Sequence, residues 1–305
     1  MFSSQSLGVQ CLEPRGEVWR PQNARPEEKL LKIVTDKNIN GVNHLFGLGE
    51  LDGTSKLYEE LQFGNPRRLR TAAAGHSNPR CFTSVVVCPY GRQLEEYRSV
   101  VELLTVVRDA IKAHQSLYKD AKILHQDVSV NNILISTGKI NGQQPQGMLI
   151  DLDAALELDF GPMNPNELIG TRPFMAIGLL QGQPHTYRHD LESFLYVLLW
   201  AAICGDKDEP PEASRLQRWP SGRFVDCARN KLYDMGEEGF AKLIAELPQE
   251  LEGIEQVLQD LRQALFMVQN GSISTSTDLR EEGVDGLYGR MLYIFDVAIA
   301  ERVGK

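Results

Sequence analysis

Residues 125–153 place the strongest constraint on how this chain can fold. Two short apolar runs, residues 133–135 and 148–150, flank a turn over residues 139–147 that is rich in glycine and glutamine. Apolar runs joined in this way are typical of a β-hairpin with a longer loop. Because a hairpin brings its two open ends together, polar residues just outside the two strands are predicted to lie close to one another.

The polar side chains at those ends form a candidate metal and catalytic site. Asp127 and Asn132 stand before the first strand, and Asp151 follows the second. Two carboxylates and an amide oxygen are hard oxygen ligands, which suit Mg²⁺ carrying a nucleotide phosphate. Asp and Asn also cap turns, so either short stretch alone is compatible with a purely structural role. The ordered pair, with a hairpin-sized gap, favours the catalytic interpretation.

The spacing of these residues fits a phosphoryl-transfer pattern. Protein kinases carry H-R-D-x-x-x-x-N followed by D-F-G. Residues 125–132, HQDVSVNN, fit the first part with Gln126 in place of arginine, and residues 151–153, DLD, fit the second part less closely.

Composition limits the classes of protein to which the chain can belong. The 305 residues are 42% hydrophobic and 24% charged, as in ordinary globular proteins. A formal net charge of −9 argues against a general binder of nucleic acids or anionic membranes. No apolar run is long enough to span a membrane, and residues 191–203 predict a buried core helix. Five scattered cysteines without a CxxC pair favour reduced thiols and an intracellular location, cytoplasmic or nuclear.

The remaining periodicity predicts a small helix, strands and a long helix before the hairpin, and further helices after it. Helical spacing of apolar residues recurs over residues 27–37, 100–118, 236–265 with a break at Pro248, and 287–302. Strands are predicted over residues 42–48, 56–61 and 82–87, with turn residues following the last of them.

Taken together, the chain resembles the fungal-type protein kinase family. The resemblance rests on four stretches: HQDVSVNNIL at 125–134, LIDLDAA at 149–155, GTRPFMAI at 170–177 and HDLESFLYVLLW at 189–200. It implies an α+β, bilobal protein kinase-like fold. A small β-rich N-lobe is expected over residues 1–90, with a hinge near 88–91, and a larger, mainly helical C-lobe over residues 91–305.

The same resemblance implies a chemistry and a site. ATP is the expected phosphoryl donor, Mg²⁺ the expected metal, and a Ser/Thr hydroxyl of a protein substrate the expected acceptor. Asp127 is expected to align that hydroxyl, while Asn132 and Asp151 hold the metal. Ser129 takes the place of a lysine found in the usual Ser/Thr kinases, and is expected to face the phosphate.

Further residues take their expected roles from the same resemblance. Cys88 and Tyr90 belong to the stretch that is similar to the hinge, beside the nucleotide. Glu27, or its neighbour Glu28, stands where the small-lobe helix carries a glutamate. Asp190 is expected to lie beneath the catalytic loop and to accept hydrogen bonds from its backbone.

The N-terminal part departs from the kinase pattern. Kinases need a glycine-rich loop and a lysine that pairs with the helix glutamate. No GxGxxG is present, and the first lysine is Lys29. Trp19 resembles the tryptophan that follows the lysine strand, so the lysine would lie near Arg15, which is not interchangeable with it. We therefore expect an incomplete N-lobe, with an apolar sheet edge left open at residues 82–87.

The segment after Asp151 departs from the pattern as well. Gly178 stands where this segment normally ends in a glutamate, so an ion pair is expected to be lost. Gln126 lacks the charge that would pair with a phosphate. Thr171 is the sole hydroxyl residue between 151 and 178 and is expected to be structural. Activity is therefore expected not to depend on phosphorylation of this segment.

Two other functions stay open. The missing lysine and glycine loop are compatible with a catalytically inactive pseudokinase that acts as a partner-binding module. Small-molecule kinases of the aminoglycoside and choline type share an H-x-D-x-x-x-x-N loop without the usual lysine. Residues 170–176 and the helix that carries Asp190 resemble protein-kinase segments instead, and so favour a protein substrate.

Overall fold

The described part of the chain is mixed α and β and mostly helical, with small sheets of antiparallel strands. The computed structural model describes residues 15–21, 27–51, 80–88, 91–137, 146–161, 168–207, 209–269 and 272–304. The strand predicted over residues 56–61 lies outside these ranges.

The first sheet combines strands from the first ninety residues. Strands β1 (Arg15–Pro21) and β2 (His44–Leu51) both pair with β3 (Arg80–Cys88), in the order β1-β3-β2. The expected open edge at residues 82–87 is therefore wrong, because β3 is the central strand and is bonded on both sides. The strand that closes this edge, β1, has no clear periodicity in the sequence.

Helix α1 (Glu27–Asp36) confirms the first predicted helix. Glu27 and Glu28 occupy its first turn, where the helix dipole favours negative charge. Leu30, Leu31 and Val34 form its buried face. The helix packs against β2 and brings the carboxylate of Glu27 to the residues that follow the hairpin.

The predicted long helix and hairpin are confirmed. Strand β4 (Gly91–Gln93) is followed by helix α2 (Val100–Lys119), whose first turn is capped by the Ser99 hydroxyl. The next strands are β5 (Ile123–Leu124), β6 (Ile133–Ser136), β7 (Gly147–Leu149) and β8 (Leu156–Glu157). Strands β6 and β7 form the hairpin, β4 pairs with β6, and β5 pairs with β8.

The core is built around helix α4 (Tyr187–Cys204), which follows the short helix α3 (Ile177–Leu180). Every residue of α4 is buried, which confirms the core helix predicted over residues 191–203. Cys204 and Cys227 are buried free thiols. Among the described helices, none combines the length and the apolar character needed to cross a membrane.

The C-terminal helices cover this core. They are α5 (Phe224–Asp234), α6 (Glu237–Ile244), α7 (Ile254–Leu265) and α8 (Glu281–Val303), with a small hairpin of β9 (Val268–Gln269) and β10 (Ser272–Ile273) before α8. The break predicted at Pro248 is confirmed. Helix α8 begins at Glu281, six residues before the predicted start at residue 287. The prediction missed its first turns because Gly283 and Gly286 have low helix propensity.

Candidate active site

Asp127 lies in a hydrogen-bond network at the start of the hairpin. Its Oδ1 accepts hydrogen bonds from the backbone N–H and the hydroxyl of Thr171, both at 2.7 Å. The Nδ2 of Asn132 donates to the backbone carbonyl of Asp127 at 2.8 Å and lies 3.2 Å from its Oδ2. Because Nδ2 is committed to Asp127, the carbonyl oxygen of the Asn132 side chain is directed away from it. That oxygen is the atom with which Asn132 could bind a cation.

His125 joins the two ends of the hairpin. Its Nδ1 accepts a hydrogen bond from the backbone N–H of Asp127 at 3.2 Å, and its Nε2 lies 3.0 Å from the backbone carbonyl of Ile150. With Nδ1 as the acceptor, Nε2 carries the proton and donates to that carbonyl. Burial lowers the pKa of His125, which favours the neutral ring. The residue before Asp151 is thereby fixed relative to Asp127.

Asp190 lies beneath the loop that carries Asp127. Its Oδ2 accepts a hydrogen bond from the backbone N–H of Gln126 at 3.1 Å, which confirms the hydrogen bond predicted for it. Two histidines also contact the carboxylate, His114 Nε2 at 2.9 Å and His185 Nε2 at 2.7 Å. Burial raises the pKa of Asp190, but the two histidines outweigh this effect and hold the pKa below its usual range. An ionised carboxylate therefore anchors the loop.

Gln126, whose N–H contacts Asp190, has a backbone conformation that residues other than glycine rarely adopt. Gln126 has a φ of +67°, and Asp151 at the other end of the hairpin has a φ of +68°. Positive φ is uncommon for residues other than glycine, and such conformations concentrate at functional sites. The two ends of the hairpin are thus both held away from relaxed geometry.

Sequence reasoning missed one partner of this network, His114. His114 lies on the buried face of α2, and its Nδ1 is 2.7 Å from the hydroxyl of Tyr288 on α8. Both side chains are completely buried. A polar residue at helical spacing from Ile111 and Leu117 on that face was the available hint, since buried polar groups need partners. The partner itself lies 174 residues away in the chain.

Asp151 lies with Glu27 and Asp153, and one carboxylate oxygen of each is within 4.8 Å of the other two. Glu27 Oε1 accepts a hydrogen bond from the backbone N–H of Leu152 at 3.0 Å. The backbone N–H of Ile150 donates a hydrogen bond to the backbone carbonyl of Asn132 at 2.9 Å. The structure therefore places the residues around Asp151 beside Asn132, and adds Glu27 to them.

Three other predicted residues have less support. The Ser129 side chain is buried, with 1% of the residue exposed, which does not favour the expected contact with a phosphate. Cys88 is the last residue of β3, and its side chain is outside the described part of the structure. Tyr90 also lies outside the described residues. The roles of all three stay predictions.

The segment that carries Thr171 depends on a glycine. Gly170 has a φ of +122°, and a Cβ there would lie 3.1 Å from the carbonyl oxygen of Gln126. A side chain at this position would therefore strain the backbone and require a shift of a few tenths of an ångström between the segment and the loop.

The ion pair expected to be lost at Gly178 is replaced by other contacts. Glu192 on α4 accepts hydrogen bonds at 2.6 Å from the backbone N–H of Ile177 and from the Tyr196 hydroxyl, and it pairs with Arg188 at 2.6 Å. A Cβ at Gly178 would lie 2.6 Å from the Nε2 of His189, so no larger residue fits. The end of the segment is thus attached to helix α4 through the contact of Ile177 with Glu192.

Comparison with known proteins agrees with this geometry. The family model for fungal protein kinases matches residues 16–204, which is more than half of the chain. The search of curated proteins found no match to the chain. The chain therefore belongs to the fungal protein kinase family, as the four stretches predict. Membership indicates a phosphotransferase in general terms, with the ATP and Mg²⁺ that such enzymes use.

Proposed function

We propose that the chain is an ATP-dependent protein phosphotransferase that acts on Ser/Thr hydroxyls. The observation that carries this proposal is the network in which Asp127 contacts both Asn132 and Thr171. We also propose the bilobal arrangement, with residues 1–90 as a partial N-lobe and residues 91–305 as the C-lobe. The protein substrate would lie along residues 170–176, next to Asp127.

Asp127 would align the acceptor hydroxyl and take up its proton. Its Oδ1 already accepts two hydrogen bonds from Thr171, whereas Oδ2 makes one longer contact among the described residues, 3.2 Å with Asn132. Oδ2 is therefore the better placed oxygen for a hydroxyl. A carboxylate held in this way can act as a general base or orient the nucleophile without large rearrangement.

Asp151 and Asn132 would hold Mg²⁺. A carboxylate and an amide oxygen fit the preference of this ion for oxygen ligands. Bound Mg²⁺ would neutralise charge on the triphosphate and on the phosphoryl group in transfer. His125 supports this role, because it links the backbone before Asp151 to the backbone of Asp127.

A second candidate is a pseudokinase that binds partners without phosphoryl transfer. The sequences of strands β1, β2 and β3 contain no lysine. A kinase that lacks the lysine of this sheet lacks a cation that holds the α- and β-phosphates.

Incubation with radiolabelled ATP, Mg²⁺ and a set of acceptors tests these functions together. Dephosphorylated casein, kanamycin and choline are suitable acceptors, with Asp127→Asn as the inactive control. We expect label on Ser or Thr of casein. Label on kanamycin or choline would favour a small-molecule kinase, and no transfer to any acceptor would favour the pseudokinase.

A further inference from the structure

Lys231 on α5 is a completely buried cation whose ammonium group is bonded to backbone carbonyls. Its Nζ donates hydrogen bonds to Pro173 at 2.7 Å and to Met175 at 2.6 Å. The rings of Tyr196 and Trp219 lie 3.9 and 4.8 Å from Nζ. Burial lowers the pKa of Lys231 to about 7, since desolvation disfavours the charged form. A side chain kept at this cost needs a specific role.

The two carbonyls belong to the turn that carries Thr171. Residues Arg172–Phe174 form a short 3-10 helix immediately after Thr171, and the Phe174 N–H donates to the Thr171 carbonyl at 2.9 Å. Lys231 donates hydrogen bonds to the backbone carbonyls of this turn, while Thr171 donates hydrogen bonds to Asp127. The turn is therefore fixed between the catalytic loop and α5.

Other contacts tie the same turn to the start of α5. Arg172 donates to the carbonyls of Pro220 at 3.1 Å and Gly222 at 2.5 Å, and its guanidinium lies 4.4 Å from the ring of Phe224. These groups lie towards the surface, where Phe224 is 44% exposed. Lys231 supplies the buried attachment, since the residue is completely buried.

We propose that Lys231 is a positioning residue for the protein acceptor, which it serves by fixing the turn over residues 172–175 beside Asp127. This inference rests on the proposed function. Lys231 acts through the backbone of the turn, to which it donates two hydrogen bonds. The hydrogen bonds described for His125 at the two hairpin ends do not involve Lys231, so its loss weakens acceptor binding more than nucleotide binding.

Lys231→Met removes the donors and keeps the aliphatic stem, and Lys231→Arg retains charge and donors. Lys242→Met is the matched control, because Lys242 is an exposed lysine on α6 paired with Glu238. Three measurements are made on each protein: KM and kcat for casein, the rate of ATP hydrolysis without acceptor, and hydrogen exchange of residues 170–178.

Lys231→Met is expected to raise KM for casein about tenfold, while KM for ATP and the hydrolysis rate change by less than about twofold. Exchange in residues 170–178 becomes faster, Lys231→Arg recovers part of the affinity, and the control behaves as wild type. If Lys231→Met does not fold, Lys231→Gln, which keeps a polar end without charge, is expected to shift KM in the same direction.

An unchanged KM for casein, or an equal loss of transfer and of ATP hydrolysis, would overturn the inference. Failure of the proposed function is distinguishable from this. If the wild type transfers no phosphate to any acceptor, the acceptor role falls with the proposed function. Hydrogen exchange then still decides whether Lys231 fixes the turn, and unchanged exchange in Lys231→Met refutes that as well.

Discussion

The role proposed for Asp127 can be separated by substitution from the role proposed for the Mg²⁺ ligands. We expect Asp127→Asn to lower kcat by on the order of a hundredfold to ten-thousandfold while ATP affinity changes little. The reason is that Asp127, which is hydrogen-bonded to Thr171, is proposed to act on the acceptor hydroxyl and not on the nucleotide. Single-turnover transfer and calorimetric ATP titration measure the two quantities. Equal losses in both would contradict the assignment.

Nucleotide binding should depend on Mg²⁺ through Asp151 and Asn132. We expect Asp151→Ala and Asn132→Ala each to weaken ATP binding sharply in the presence of Mg²⁺, because the ion that they are proposed to hold would offset the triphosphate charge. The measurement is ATP titration with and without Mg²⁺. Binding that needs no Mg²⁺ and is equal in both variants and the wild type would instead support the pseudokinase.

His189 should make the folded state sensitive to acid. Its buried Nδ1 accepts a hydrogen bond from the Thr186 N–H at 3.0 Å, and burial lowers its pKa from 6.5 to about 4. Between these values the unfolded chain binds more protons than the folded one. The contribution of neutral His189 to the free energy of unfolding is therefore fully present above pH 6.5. It falls by up to about 3 kcal/mol as the pH is lowered towards 4.

Denaturant unfolding at a series of pH values checks this for wild type and His189→Asn, whose side-chain oxygen can still accept from Thr186. We expect a shallower decline between pH 6.5 and 4 in the variant. Part of the decline persists, because burial also lowers the pKa of His125. Identical slopes would show that His189 does not titrate in this range.

At the scale of elements, the segment from Gly170 to α3 is held without a phosphate. The Thr171 hydroxyl is bonded to Asp127, and Glu192 holds the N–H of Ile177. We therefore expect activity to be unchanged by phosphatase treatment of protein made in a eukaryotic host. Mass spectrometry of residues 151–178 is the companion measurement. Phosphate on Thr171, with activity lost on its removal, is the contrary result.

Local signals predicted the elements that carry a clear apolar pattern. Helices α1 and α2 have apolar residues at helical spacing, whereas α4 and the β6–β7 hairpin have continuous apolar runs. The spacing within residues 125–132 predicted the contact of Asp127 with Asn132. Strand β1 lacks a pattern, since its place depends on pairing with β3, whose residues lie 59 to 70 positions later in the chain. Lys231 shows the same limit, because its partners lie 56 and 58 residues away.

At the scale of the whole molecule, helix α8 is coupled to the loop that carries Asp127. Tyr288 on α8 bonds to His114, His114 to Asp190, and Asp190 to the N–H of Gln126. Removal of the Tyr288 hydroxyl leaves the buried Nδ1 of His114 without this partner.

We expect Tyr288→Phe to lower the free energy of unfolding by about 1–3 kcal/mol. Tyr293→Phe on the same helix is the matched control, because Tyr293 is 70% exposed and its change should be close to zero. Urea denaturation of the two variants and wild type gives the comparison. A similar effect of both substitutions would argue that the Tyr288 hydroxyl contributes nothing to the network.

The complete burial of α4 determines how short a version of this protein could be and still fold. The family match ends at residue 204, the last residue of that helix. Its side chains are covered by residues beyond that point, with Tyr187 stacked on Tyr288 at 5.8 Å and Tyr196 against Trp219 at 5.0 Å. A fragment cut at the family boundary would turn the central helix into an open apolar surface. The described residues after the match therefore supply part of the interior, and the burial of α4 depends on them.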